Sequence, residues 1–302
     1  MAGLFIEGDL FYMEEVKTIC QQIELLKLQE LIITDENEAR HFLNQVNYYR
    51  FSGYFKLFTS NDKFSGKITF GMLKGIYEFD SELRNLLNYV LEYLEILFKT
   101  QIASCLATNV GPLSYKDRDI YDNVTKYNKL MDDIDNCIKK KYKNEDFIKY
   151  YSGKDIPVWV IAEILSFGSM SKLYSNLKVK YKKQIANLYL HTKHLYLKNH
   201  MYVLTCIRNN CAHRSRIYGK DFVLAPKISK KDKKNLNLYR INTIGSVHKI
   251  FIFIFIMLKY LDKSQKRSFI NKLEKLIDRY KECIILKDLG FVENWKDILL
   301  GM

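Results

Sequence analysis

Apolar residues recur at helical spacing along most of the chain. From Glu14, the positions Val16, Ile19, Ile23, Leu26 and Ile32 predict a first helix ending near Leu31. Thr34 or Asp35 then reads as the N-cap of a second helix, with Glu38 placed for a capping box. That helix carries Phe42, Leu43 and Val46 into the cluster Asn47-Tyr48-Tyr49-Arg50-Phe51-Ser52-Gly53-Tyr54, and a loop follows around Ser60 to Lys67. The widest stripe (Leu83, Leu86, Leu87, Val90, Leu91, Leu94, Leu97 and Phe98) predicts one long helix from about Phe70 to Thr108, with a break near Glu78 to Ser81. Gly111-Pro112 stops it. The pairs Asp80–Arg84 and Glu95–Lys99 stand at i,i+4 and favour the helix by a few tenths of a kcal/mol each; the first reads as structural.

Beyond it, residues 115–155 mix Lys, Asp, Asn and Tyr, including Lys139-Lys140-Lys141-Tyr142-Lys143, a solvated face or a partner-facing patch. Pro157 opens a helix through Trp159, Ile161, Ile164 and Leu165, interrupted at Phe167-Gly168-Ser169. Further helices are expected over Leu173 to Tyr189 and His194 to Ala212, then a basic connector from Pro226 to Lys234 and two C-terminal helical segments. Ile250 to Leu258 is too short to span a bilayer and reads as buried core. Met1 to Met13 shows no clear period and reads as a loose lead. No internal repeat is visible. The expected fold is all-α, with a small helical N-terminal region over residues 1–70 and a larger helical domain with C-terminal helices over 71–302.

Composition sharpens this. Only 3 prolines and 13 glycines interrupt 302 residues, which suits long helices. The 48 Lys and Arg against 34 acidic residues give a net charge of +14, which points to a polyanionic partner such as nucleic acid. A Lys-, Asn-, Ile- and Tyr-rich composition also follows from A/T-rich codons, so charge supports that partner without establishing it. The 6 cysteines are scattered without a CxxC pair, which argues against a zinc site and a disulfide framework and fits a reducing cytoplasm. No spacing of His191, His194 or His200 with carboxylates or thiols suggests a metal site, and no cofactor is expected.

The chemistry concentrates in Arg208-Asn209-Asn210-Cys211-Ala212-His213-Arg214-Ser215-Arg216. RNA cleavage without a metal needs a base for the ribose 2′-OH, an acid for the leaving 5′-oxygen and a cation for the phosphate. Histidine titrates near neutrality, and arginine offers phosphate a planar fork. Five helical positions turn about 500°, so Arg208 and His213 lie roughly 140° apart, whereas Asn209 shares a face with His213. One histidine per motif leaves the acid–base cycle a group short, which favours a site shared by two copies across a two-fold axis. By itself an Arg and a His five apart is common by chance.

The segment resembles the RNxxAH signature of the HEPN superfamily, and more of the chain resembles the bacterial abortive-infection Abi proteins of the AbiD/AbiF type. The matching residues run in order: Asn47 to Tyr54, Tyr77 to Arg84, Glu92 to Thr100, Gly111-Pro112, Pro157-Val158-Trp159, Glu163 to Gly168, Leu173 to Leu177 and Arg208 to Arg216. The resemblance implies a HEPN-type helical bundle, a homodimer, and a metal-independent endoribonuclease with Arg208 and His213 as catalytic pair. It also implies a toxin in anti-phage defence restrained by a small non-coding RNA. Lys99 stands where the family often has Arg, and Tyr218-Gly219 where an aromatic-Asn pair is common; neither touches the pair.

Supporting roles are expected for Asn209, orienting His213 or a phosphate oxygen, and for Glu92 or Glu95 holding the Arg208 guanidinium. For the glutamates, an exposed carboxylate or a Glu95–Lys99 surface pair is the equal alternative. Arg214, Arg216, Lys178, Lys180, Lys182 and Lys183 are the expected RNA contacts. Asn47 to Tyr54 offers aromatics that could stack on bases but reads first as a packed helix end. The alternative function is a non-catalytic RNA-binding module holding a structured RNA. No membrane partner is expected.

Overall fold

The stripe that starts at Phe70 folds as one unbroken helix of 40 residues, Phe70–Asn109, in a computed structural model that describes residues 16–142, 145–238 and 247–302. This helix, α4 after the short N-terminal elements introduced below, is about 60 Å long. The expected break at Glu78 to Ser81 is absent because Asp80, the polar intruder, is fully buried and paired with Arg84 one turn on. Val110 caps the helix, and Gly111 leaves it at φ +129°.

Ahead of α4, α1 (Ile19–Leu28) begins in a Thr18–Gln21 capping box. The helix α2 (Glu36–Gln45) begins at Asp35, whose carboxylate accepts from the amides of Asn37 and Glu38. The Asn47–Tyr54 cluster forms α3 (Tyr48–Ser52) and packs its rings on α4: Phe51 and Tyr54, joined by Phe42 of α2, stand edge-on to Tyr77, with centroids 6.3, 5.6 and 5.5 Å away. Where a loop was expected, β1 (Thr59–Ser60) and β2 (Lys63–Phe64) make a small antiparallel hairpin. Asn61 and Asp62 turn it with positive φ at both central positions, the geometry that two-residue hairpins require. The lead Met1 to Met13 and Lys143 lie outside the described residues.

After α4 come α5 (Val124–Tyr142), α6 (Asp146–Lys149), α7 (Val158–Ile164), α8 (Phe167–Asn176), α9 (Val179–Gln184) and α10 (His194–Ala212). The break between α7 and α8 falls at Leu165-Ser166, where Ser166 caps α8 through the Ser169 amide. The helix expected over Leu173 to Tyr189 is divided at Leu177, because Tyr121 bridges to Leu177 and the Lys178 amide donates to the Ile120 carbonyl at 2.7 Å. The basic connector carries a helix of its own, α11 (Lys230–Leu238), opened by Ser229, whose hydroxyl accepts from the Asp232 amide. Then follow α12 (Ile250–Leu258), α13 (Lys263–Tyr280) and α14 (Trp295–Leu300). Every residue of α12 is buried, so its mixed period reflects a helix enclosed on all sides. The helices α7, α10 and α13 line α4, with α12 packed on α4 and α10. Among the described residues the protein is all-α apart from the hairpin.

Candidate functional site

The motif occupies the last turn of α10 and the chain just beyond. At the helix end, the Arg214 amide donates to the Cys211 carbonyl and the Ser215 amide to the Asn210 carbonyl. These two bonds, with Arg214 at φ +56°, are a complete Schellman closure. His213 is the C-cap residue, exposed, its amide on the Asn209 carbonyl at 2.9 Å. Arg214 fills the position that usually falls to glycine, and Arg50 of α3 donates to its carbonyl. Arg50 is steadied in turn by the Tyr77 hydroxyl at 3.2 Å.

The chain after the motif is held by Asp80. Its carboxylate accepts from the amides of Ile217 (3.1 Å) and Tyr218 (2.8 Å), from the Tyr54 hydroxyl (2.6 Å) and from Arg84. Burial, reinforced by the charge on Asp80, pushes the Tyr54 phenol well above its ordinary value, so it stays a donor. Gly219 follows at φ +63°, where a Cβ would run into the Leu57 side chain. Asp80 and Arg84 are a structural pair, as their spacing predicts. That this pair also ties down the turn beyond His213, and that Arg50 does so from α3, is invisible in sequence spacing. The available signal was an acid set in an apolar stripe, which demands several donors once buried.

At the other end of the motif, Arg208 Nε lies 3.2 Å from Glu95 Oε2, while Glu95 Oε1 takes Lys99 at 2.9 Å. Glu95 thus meets both Arg208 and Lys99, and it is neither an exposed carboxylate nor part of a surface pair, since Lys99 is buried. Glu95 grips one edge of the guanidinium and leaves the Arg208 side chain 39% exposed against 12% for Glu95. Glu92, one turn earlier, is exposed. Asn209 is exposed and accepts from Arg208 Nη1 at 3.4 Å, so its side chain attends the arginine; its contact with His213 is through the backbone. Cys211 packs inside, and burial pushes its thiol up to about 12, which makes it a small hydrophobe and not a nucleophile.

The expected RNA contacts divide. Arg214 is exposed but structural through its backbone. Arg216 is half-buried, its guanidinium 5.9 Å from the centroid of the Tyr54 ring, with Nη1 buried and unpartnered. Lys178, Lys180 and Lys183 are exposed on or beside α9. Lys182 corrects the expectation of a surface lysine: it is 7% exposed, with its ammonium 3.1 Å from Asp122 and 3.4 Å from the Ser175 carbonyl. Burial, then Lys183 and Lys182, lowers the pKa of His194, which places these lysines by the start of α10. His213 stands 19 residues further along, about 28 Å away, so the α9 lysines and the catalytic candidates are not one cluster.

Among the described residues no three His, Cys, Asp or Glu side chains come together to hold a metal ion, and no helix is long and apolar enough to cross a membrane. Fold and site define an all-helical protein that presents an arginine and a histidine at one helix end, braced from α3 and α4. The chain matches the Abi-like protein family over residues 41–219, more than half its length, and belongs to that family. That affiliation suggests a part in abortive infection. No curated protein and no solved structure matches the chain.

Proposed function

We propose that this chain is a metal-independent endoribonuclease of the HEPN kind, a cytoplasmic toxin in anti-phage abortive infection held in check by a small non-coding RNA. The observation that supports it is the pairing of unlike restraints at the motif: Arg208 is gripped at one edge by Glu95 with much of its side chain open, and His213 is exposed on a fixed helix cap. A phosphate placed there meets a planar cation held ready and an imidazole that can give or take a proton. In the reaction, a base takes the proton of the 2′-OH, and the 2′-oxygen bonds to phosphorus. The bond from phosphorus to the 5′-oxygen breaks as an acid protonates that oxygen, leaving a 2′,3′-cyclic phosphate and a 5′-OH. Arg208 offsets the charge that gathers on the phosphate oxygens, and Asn209 keeps Arg208 aligned.

One motif supplies one histidine, so the second acid–base group comes from another copy in a homodimer. The exposed Tyr89, Tyr93 and Ile96 on α4, around Glu92 and Glu95, offer the apolar surface that such a pairing would cover. Lys178, Lys180, Lys183, Arg214 and Arg216 are proposed contacts to the RNA backbone away from the cut.

The test is cleavage of total RNA by the purified chain in EDTA. Undiminished cleavage leaving 2′,3′-cyclic ends is expected, falling about 10²- to 10⁴-fold in His213→Ala. Equal activity of the two chains, or loss of all cleavage in EDTA, would overturn the reading. In the first case, salt-sensitive RNA binding without turnover would identify a module that only holds RNA.

A further inference from the structure

A cleft of about 680 Å³ opens between α5, α8 and α10, away from the Arg208–Glu95 pair. Its charge is one-sided. Lys172 is near Asp133 at 3.7 Å, but Lys126, Lys129, Lys198 and Lys227 are exposed along its walls and make no ion pair among the described residues. Four exposed ammonium groups without an ion pair around one cavity set up a positive potential that draws in an anion. The walls are also fixed in place. Asn199 accepts from the Lys227 amide at 2.6 Å, and the neighbouring His200 meets the Lys227 carbonyl at 2.8 Å, so the Lys227 loop is tied to α10.

The α10 wall adds apolar surface among these charges: Leu195 is 59% exposed and Tyr202 53%. Phosphates alternating with flat, partly apolar bases fit such a lining, because lysines take the backbone and an open tyrosine takes a base face. The face continues to the motif. Tyr202, Asn209 and His213 are 7 and then 4 positions apart, within about 20° of one stripe, and Tyr202 to His213 is about 16 Å. All three are exposed.

We propose that this cleft seats a single-stranded segment of RNA and leads it along α10 to His213. The proposal rests on the ribonuclease reading for what happens at His213, but the seat itself is a separate claim. At its far end the cleft reaches Leu195, the neighbour of His194, close to which the exposed Lys183 adds one more positive charge.

The full-length His213→Ala chain, titrated with a short fluorescein-labelled oligouridine over a salt series, tests it by anisotropy. Replacing Lys129, Lys198 and Lys227 together by Ala should weaken binding by about tenfold or more and reduce the log–log salt slope by roughly 2. Tyr202→Ala should weaken it by about tenfold, with Tyr202→Phe restoring it. Replacing Lys263, Arg267 and Lys275 on α13 removes the same charge elsewhere and should leave the slope unchanged. If the two triple variants behave alike, or the oligouridine does not bind, there is no seat in this cleft. If binding follows the cleft but the chain retaining His213 cleaves nothing, the seat stands and the ribonuclease reading falls. His213-dependent cleavage by a cleft variant of unchanged affinity gives the converse.

Discussion

Two carboxylates of α4, Asp80 and Glu95, meet the same motif from its two sides, about 22 Å apart along the helix. Asp80 is wholly buried and saturated with donors from Tyr54, Arg84, Ile217 and Tyr218. Glu95 lies at the edge of the core and shares its two oxygens between Lys99 and a half-open Arg208. Both carboxylates face arginine, but the first arginine has no exposed surface to offer a ligand and the second has. Burial, and not residue type, separates the closed brace from the open contact. Two histidines, His200 within α10 and His213 at its C-cap, repeat the contrast. His200 is buried, with Nδ1 2.6 Å from the Tyr260 hydroxyl and Nε2 2.8 Å from the Lys227 carbonyl, whereas His213 is exposed at the cap.

The contrast breaks most visibly at Asp80. Asp80→Ala leaves Arg84 buried without its partner and should cost about 3–5 kcal/mol, read from the denaturant midpoint; a loss below 1 kcal/mol would put Asp80 in the same class as Glu95. Acid should find His200 next. Burial lowers its pKa to about 4, against about 6.5 in an unfolded chain. Between those values the unfolded state binds more protons, so the contribution of His200 is whole above pH 6.5 and declines as pH falls towards 4. By pH 5 the loss should be about 2 kcal/mol, with a shallower decline in His200→Gln; parallel curves for the two chains would discard this assignment.

Glu95→Gln should change stability by no more than about 1 kcal/mol, since the pair with Arg208 is partly open to solvent. RNA cleavage should nevertheless fall by about tenfold or more, because the guanidinium loses its fixed edge; intact cleavage would make Glu95 a second brace. The smallest effect is expected at Arg214. Relieving its left-handed backbone with Arg214→Gly should stabilise the chain by about 0.5–1 kcal/mol, and any fall in RNA affinity then measures what the side chain does.

Much of the helical frame was legible. The α10 boundaries, His194 and Ala212, follow from the apolar period and its end, and Asp35 announces α2 by its chemistry. The division at Leu177 was not legible, because a bond between the Lys178 amide and the Ile120 carbonyl ends that helix and no local breaker marks it. For α11 the cue was present in Ser229-Lys230-Lys231-Asp232, a serine three residues before an acid, and the surrounding lysines masked it. Lys182 shows the limit of reading charge: four lysines clustered in sequence, yet its position against Asp122 turned one of them inward. At the site, Arg208, Asn209 and His213 could be named from the family resemblance of their segment, whereas Asp80 and Arg50 act on the motif across 137 and 164 positions of chain.

That separation has a consequence during synthesis. The α4 helix can be complete while Ile217 and Tyr218 are still untranslated, and at about 5–20 residues per second the interval lasts roughly 5–20 s. Only then can Asp80 close on the turn, and the Tyr218 hydroxyl must wait longer still for the Ile285 amide, which donates to it at 2.7 Å. The ribosome thus delivers His213 within about a second of the turn that Asp80 and Arg50 hold, and only the bond from Ile285 to Tyr218 waits for the chain beyond α13.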